Sequence, residues 1–266
     1  MVASSIACLV IGSGLSTFIH LRRLYHSEQM NTELQQNVRF ALDSVVRDIR
    51  SAGYGLDVPD SSLGKWVDWI EQFDRNPQIV EGVGGSPDAL RIVGAFNKAV
   101  TALSQPAATG DTSIVVEDAG KLNRSYHKLL FLNQAETVRI THISGNILSI
   151  SSHPTESDRG LRYDYPAGAP IELVVTVEYT CRPQEGSILR HPYLARVDSS
   201  ASRVLPWMQV TASCIEDLQC VREDDAITIE ITGRTSGKNY AQYDQEHLDY
   251  YRRLILSSSV RSRNAM

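Results

Sequence analysis

VASSIACLVIGSGLSTFIHLRRLYHSEQMNTELQQNVRFALDSVVRDIRSAGYG, residues 2–55, decides how the whole chain is read. Its first twenty residues, to Leu21, contain no acid, lysine or arginine and only one histidine, His20. A helix of that length and character can cross a bilayer. After Arg22 and Arg23 the pattern changes. Met30, Leu34, Val38, Ala41, Leu42, Val45, Ile49 and Ala52 recur at steps of mostly three and four, the spacing of one helix face. The opposite face carries Glu33, Arg39, Asp43, Arg47 and Arg50, with Asp43 and Arg47 one helical turn apart. No proline intervenes before Pro59, and Gly53 and Gly55 supply the residues that tolerate a left-handed helix stop. The spacing therefore predicts one helix over 2–52, about 75 Å long at 1.5 Å per residue.

The apolar part of that helix reads as an anchor rather than a cleaved leader. A secretory signal carries its positive charge before the apolar core and a small-x-small site after it. Here the arginine pair follows the core, and His-Leu-Arg-Arg-Leu-Tyr offers no such site. Basic residues more often flank the cytoplasmic end of a span, so Arg22 and Arg23 fit an outward-facing C-terminal part poorly. Ile6, Leu9, Val10, Ile11, Gly12, Gly14, Leu15, Phe18 and Ile19 are the candidate membrane or helix-packing residues. Gly12 and Gly14 mark either a bend, since glycine weakens a helix interior by about 1 kcal/mol, or a place of close helix–helix approach.

Beyond Gly55 the chain turns to short β-branched runs separated by turn residues. ALRIVGA from Ala89, TSIVVED from Thr112, KLLFL from Lys128, TVRITHI from Thr137 and NILSIS from Asn146 come first. PIELVVTVEYT from Pro170, SILR from Ser187, IEDLQCV from Ile215, AITIEITGR from Ala226 and RLILSSSVR from Arg253 complete the set. These predict a mainly antiparallel β head. Ser61 to Phe73 reads as a short helix or packed loop that buries Trp66 and Trp69. An amphipathic helix and a half-apolar sheet each need a cover, so the fold class is α+β. Residues 26–55 dock on the head, 56–266, through Leu34, Val38, Ala41, Leu42, Val45 and Ile49, while 1–25 protrude.

At 266 residues and a net charge of −5, the chain lacks the basic stripe of a nucleic-acid surface. His20, His26, His127, His142, His153, His191 and His247 have none of the spacings of a zinc site, and no phosphate loop or nucleophile elbow is present. The acidic tip Glu223-Asp224-Asp225 supplies too few oxygens for calcium. No cofactor, metal or catalytic residue is expected. Cys8 reads as a small hydrophobe in the apolar helix, leaving Cys181, Cys214 and Cys220 as disulfide candidates. In an extended strand Cys214 and Cys220 stand about 20 Å apart, too far to bridge. Cys181 with Cys214 is the favoured pair, with three reduced thiols as the alternative.

Gln35 to Leu56, QQNVRFALDSVVRDIRSAGYGL, resembles the helix end of PilW-type minor pilins, whose pattern is N-x-R-F-A-L-x-x-x-x-R-D-I/L-R-x-A-G-Y. Asn37, Arg39, Phe40, Ala41, Leu42, Arg47, Asp48, Ile49, Arg50, Ala52, Gly53 and Tyr54 match it. SSSVRSRN, from Ser257 to Asn264, resembles the family's closing strand. The resemblance implies a pilin-like fold and a structural subunit that helps to prime a type IV pilus, near the filament tip. Its partners would be other major and minor pilins, met through the N-terminal helix, and a tip adhesin. The subunit would sit in the inner membrane with a periplasmic head before becoming extracellular in the pilus. The family's processing motif, Gly-Phe-Thr-Leu-x-Glu, which stands immediately before such a Met-Val-Ala in the family, is missing before residues 1–3, a departure expected if the given start lies a few residues inside the reading frame or the chain is trimmed. A minor pseudopilin of a type II secretion system, or a membrane-anchored periplasmic binding domain that never polymerises, would share these features.

Overall fold

A single helix, α1, runs from Val2 to Arg50 without a break, through Gly12 and Gly14. The structure is a computed structural model, and it describes residues 2–56, 76–96, 99–122, 129–153, 156, 158–182, 192–198, 208–224, 226–236 and 251–261. The Trp66 and Trp69 segment, the SILR run and the residues after Arg261 lie outside the described residues. The chain is α+β: one long helix against a mainly antiparallel β head.

Thirteen strands follow the helix among the described residues. They are β1 (Gln78–Val80), β2 (Ala89–Gly94), β3 (Thr101–Ala102), β4 (Ser113–Val115), β5 (Leu129–Leu132), β6 (Glu136–Ser144) and β7 (Ile147–Ser151). After them come β8 (Pro170–Arg182), β9 (Tyr193–Asp198), β10 (Met208–Ser213), β11 (Ile215–Glu223), β12 (Ala226–Arg234) and β13 (Arg253–Arg261). All pairings are antiparallel.

The spine is β8, the longest strand. Its first half pairs with β3 and β5, and its second half with β2 and β9. The β-branched run of β8 suits a strand buried on both faces. Ile171, Leu173, Val175, Val177 and Tyr179 alternate into the main core, whereas Val174 joins a smaller cluster with Leu56, Val93, Ala95, Leu129 and Phe131. From β5 the sheet continues through β6 and β7 to β4, and from β9 to β10. Gly145, at φ 58, closes the β6–β7 hairpin, and Asp224, at φ 53, sits at the β11–β12 tip.

A second, three-stranded sheet has the order β11-β12-β13. The chain passes into it at Cys214, which bends with a φ of 65 between β10 and β11. Helix α1 lies across β10, β12 and β13. The helix residues and both sheets share one hydrophobic core.

The helix seat as the candidate functional site

The amphipathic half of α1 is seated by an unbroken apolar row. Met30, Leu34, Val38, Ala41, Val45, Ile49 and Ala52 are buried, and Leu42 is half-buried at the edge of the same core. Full burial of a side chain of valine or isoleucine size stabilises by about 1.5–3 kcal/mol. Val38, Val45 and Ile49 are completely covered, so they alone hold the helix firmly. Val46, which the spacing did not single out, is buried too.

The head is shaped to receive this row. Gly233, in the central strand β12, leaves a notch: a Cβ there would stand 2.3 Å from Val38 Cγ2 and 2.9 Å from Leu34 Cδ1. Any other residue would push the helix away. At the exposed rim, Asn37 Nδ2 donates to Ser213 Oγ at 3.2 Å.

A charged group lies within the apolar stripe. Asp48 is buried and its Oδ2 accepts hydrogen bonds from Tyr179 Oη at 2.7 Å and Arg196 Nε at 2.9 Å. These partners come from β8 and β9, so the helix is tied to the spine of the head by charge-assisted bonds. Burial, and then the charge of Asp48, pushes the Tyr179 phenol upward. For Arg196 burial acts downward, but the hydrogen bond and charge of Asp48 outweigh it and the net shift is upward. Both shifts favour a protonated phenol and a charged guanidinium beside the Asp48 side chain.

The helix stops where the glycines permit. Gly53 and Gly55 have φ of 78 and 80, and the Gly53 N–H leaves the helix to bond Val93 O in β2 at 2.9 Å. The Ala95 N–H returns a bond to Tyr54 O at 2.7 Å. A Cβ on Gly55 would stand 2.8 Å from Ala95 Cβ. The Tyr54 ring meets Phe131 edge-on, 5.3 Å between centroids, and the Thr137 hydroxyl donates to Gly55 O. Thus the helix end is stitched into the sheet rather than merely capped.

The apolar half is the opposite case. Ile6 and every residue from 9 to 26 are exposed, including Leu9, Val10, Ile11, Gly12, Gly14, Leu15, Phe18 and Ile19. Apart from chain neighbours and the helix's own nearby backbone, no atom of the described residues lies within 4 Å of where a Cβ on Gly12 or Gly14 would stand. Two of the hydroxyls in this half bond back to the helix, Ser13 Oγ to Val10 O at 2.9 Å and Thr17 Oγ1 to Ser13 O at 3.0 Å. Such internal pairing removes the cost of carrying a hydroxyl into apolar surroundings. Among the described residues, no helix is long and apolar enough to cross a membrane.

The Cys181–Cys214 pair is not formed. All three described cysteines are separate thiols, and Cys214 lies at the β10–β11 bend, influenced by Arg234 and Glu33, while Cys181 lies by Asp217 and Cys220. Strand β9 stands between β8 and β10, with Leu194 opposite both Cys181 and Ala212, which the order of strands along the chain does not reveal. Among the described residues, no three histidine, cysteine, aspartate or glutamate side chains converge on a metal site. Beside the helix, an open groove of about 610 Å³ is lined by Leu42, Asp43, Val46, Arg47, Arg50, Ser51 and Ser258.

Asp48, Tyr179, Arg196 and Gly233 were not among the docking residues expected from the sequence. Asp48 carried a signal, since it falls three residues after Val45 on the buried stripe; Gly233 carried only the oddity of a glycine inside a strand pattern. Compared with protein-family models, curated proteins and solved structures, the chain has no match.

Proposed function

We propose that this chain is a structural subunit of a type IV pilus, a minor pilin of the PilW-type that helps to start filament assembly. The observation that carries the reading is the division of one continuous helix into a half seated on the head and a half that is bare and apolar. The bare, mostly apolar stretch from residue 9 to residue 26, about 27 Å long at 1.5 Å per residue, needs either lipid or other helices around it. In the proposed cycle it rests first in the inner membrane, and its lipid contacts are then exchanged for those of neighbouring pilin helices. Gly12 and Gly14, with nothing over them, permit close backbone approach in such a bundle.

The motif residues support the same reading through what they do. Ala41 and Ile49 are buried, Asp48 ties the helix to the spine, and Gly53 makes the left-handed stop. Arg39, Phe40, Arg47 and Arg50 face outward, where neighbouring subunits or a tip adhesin would meet them. Nucleic acid is not part of this proposal.

Deleting the gene in its host tests the reading. Surface pili should disappear or become sparse, return with the parent chain, and fail to return with Leu15→Asp. Normal piliation with lost type II secretion would identify a minor pseudopilin instead. If neither process changed, a membrane-anchored periplasmic binding domain would replace the filament reading.

A further inference from the structure

Cys181 and Cys220 both lie beside Asp88 at the seam between the two sheets, near enough for Cys220 to act electrostatically on Cys181. The β2–β8 ladder ends with Ala89 opposite Thr180, so Asp88 and Cys181 come next on the two strands. Asp88 is buried, and its backbone N–H bonds Leu218 O of β11 at 2.8 Å. Its Oδ2 accepts the Cys220 N–H, also at 2.8 Å, and its Oδ1 accepts the Gly82 N–H at 2.9 Å. One residue thus holds the β11 edge against the end of the β2–β8 ladder. Cys220 is buried in the main core and Cys181 packs against that same core. Cys214, by contrast, lies six residues earlier, at the far end of β11.

We infer that Cys181 and Cys220 form a disulfide as the chain folds in an oxidising compartment, covalently joining β8 to the sheet that seats the helix. The compartment follows from the proposed export of the head; the pairing does not depend on it. The chemistry is thiol–disulfide exchange with a disulfide-bearing oxidant. One cysteine thiolate attacks the oxidant, releasing its first thiol and leaving a mixed disulfide. The second cysteine thiolate then attacks that sulfur and releases the oxidant's second thiol. The protein loses two protons and two electrons, and the oxidant disulfide is reduced to two thiols.

The reduced folded state opposes this attack. Burial, and then the carboxylates of Asp88 and Asp217, hold the Cys220 thiol up at about 12. Burial, Asp217 and Cys220 push Cys181 upward as well. Thiolate is the nucleophile, so buried, protonated thiols react slowly. The bond therefore belongs to the folding chain, before the seam closes.

The test is oxidative refolding of the full chain. Reduced, denatured protein is returned to mild detergent with oxidised and reduced glutathione, then alkylated in denaturant without reductant and digested. Mass spectrometry should find one peptide pair joined through Cys181 and Cys220, two hydrogens lighter than its parts, with Cys214 alkylated. Cys214→Ser should give the same link. Added reductant should lower the melting temperature of the oxidised parent and leave a Cys181→Ser/Cys220→Ser chain unchanged. A link through Cys214, or alkylation of both Cys181 and Cys220 after refolding, would overturn the pairing. Because the refolding is done outside the cell, that failure would leave the pilin reading untouched. A bond formed in the tube from a chain found reduced inside its host would instead count against export.

Discussion

Residues 9–26 and residues 30–50 belong to the same helix, with the same backbone and comparable numbers of apolar side chains, yet they meet opposite surroundings. The first stretch buries nothing, whereas the second is covered along a whole face and pinned at its end. Helical propensity and hydrophobicity alone therefore do not determine docking. The docked half has an apolar stripe with a polar back, a glycine notch opposite it and one carboxylate that finds a phenol and a guanidinium. From Leu9 to Leu21 the bare half carries no acid, lysine or arginine on any face, and a largely apolar helix of that kind finds its partners outside its own domain.

The contrast sharpens most at the notch. Gly233→Leu forces a side chain into space occupied by Val38 and Leu34, and should destabilise the head by about 3 kcal/mol or more through overpacking. Chemical denaturation of the detergent-solubilised full chain measures it, and an unchanged midpoint would mean the helix does not lie on β12. The same replacement at Gly14, where no neighbour is present, should leave that midpoint alone.

Next in size is the polar tie. Asp48→Ala leaves Arg196 and the Tyr179 hydroxyl partly desolvated without their acceptor. Breaking a buried pair costs about 3–5 kcal/mol. Arg196 keeps about a fifth of its side chain exposed, which moves the expectation to the lower end of that range. Tyr179→Phe removes one donor to Asp48 and the hydroxyl's bond with Arg196 but leaves the Arg196–Asp48 pair, and should cost about 1 kcal/mol. Equal losses from the two changes would show that Asp48 acts through Tyr179 alone.

A smaller effect concerns pH. In the reduced chain Cys220 has its folded pKa raised to about 12 by burial, Asp88 and Asp217. The folded state therefore holds a proton that the unfolded thiol releases near its ordinary value of about 8.5. Stability from this group is complete below that value and is lost as pH rises towards 12. Reduced Cys220→Ser should show a shallower alkaline decline than the reduced parent, with no difference at pH 7. Parallel curves would mean that Cys220 is more open than the fold indicates.

Much of this was legible in advance because helix periodicity is a local signal. The run from Met30 to Ala52, the glycine stop and most of the strands could be read from residues close together in sequence. What escaped required knowledge of the opposite surface. Asp48 fell on the predicted buried stripe, but only β8 and β9 could show why a carboxylate is tolerated there. Gly233 needed the helix above it, and the neighbour of Cys181 needed the order of strands across two sheets. Leu42, expected among the docking residues, is half-buried at the margin of the seat, on the side of the helix it shares with buried Val46.

The most direct measurement is thermal unfolding of the detergent-solubilised full chain carrying either Val45→Asp or Leu15→Asp, followed by near-ultraviolet circular dichroism. Val45 is fully buried between helix and head, and Leu15 is exposed on the bare half. Val45→Asp places an unpaired carboxylate in the core, at a cost of several kcal/mol, and should abolish or greatly lower the cooperative transition. Leu15→Asp should melt with the parent. Two parent-like curves, or two equally damaged ones, would contradict the division of the helix into a seated half and a bare one.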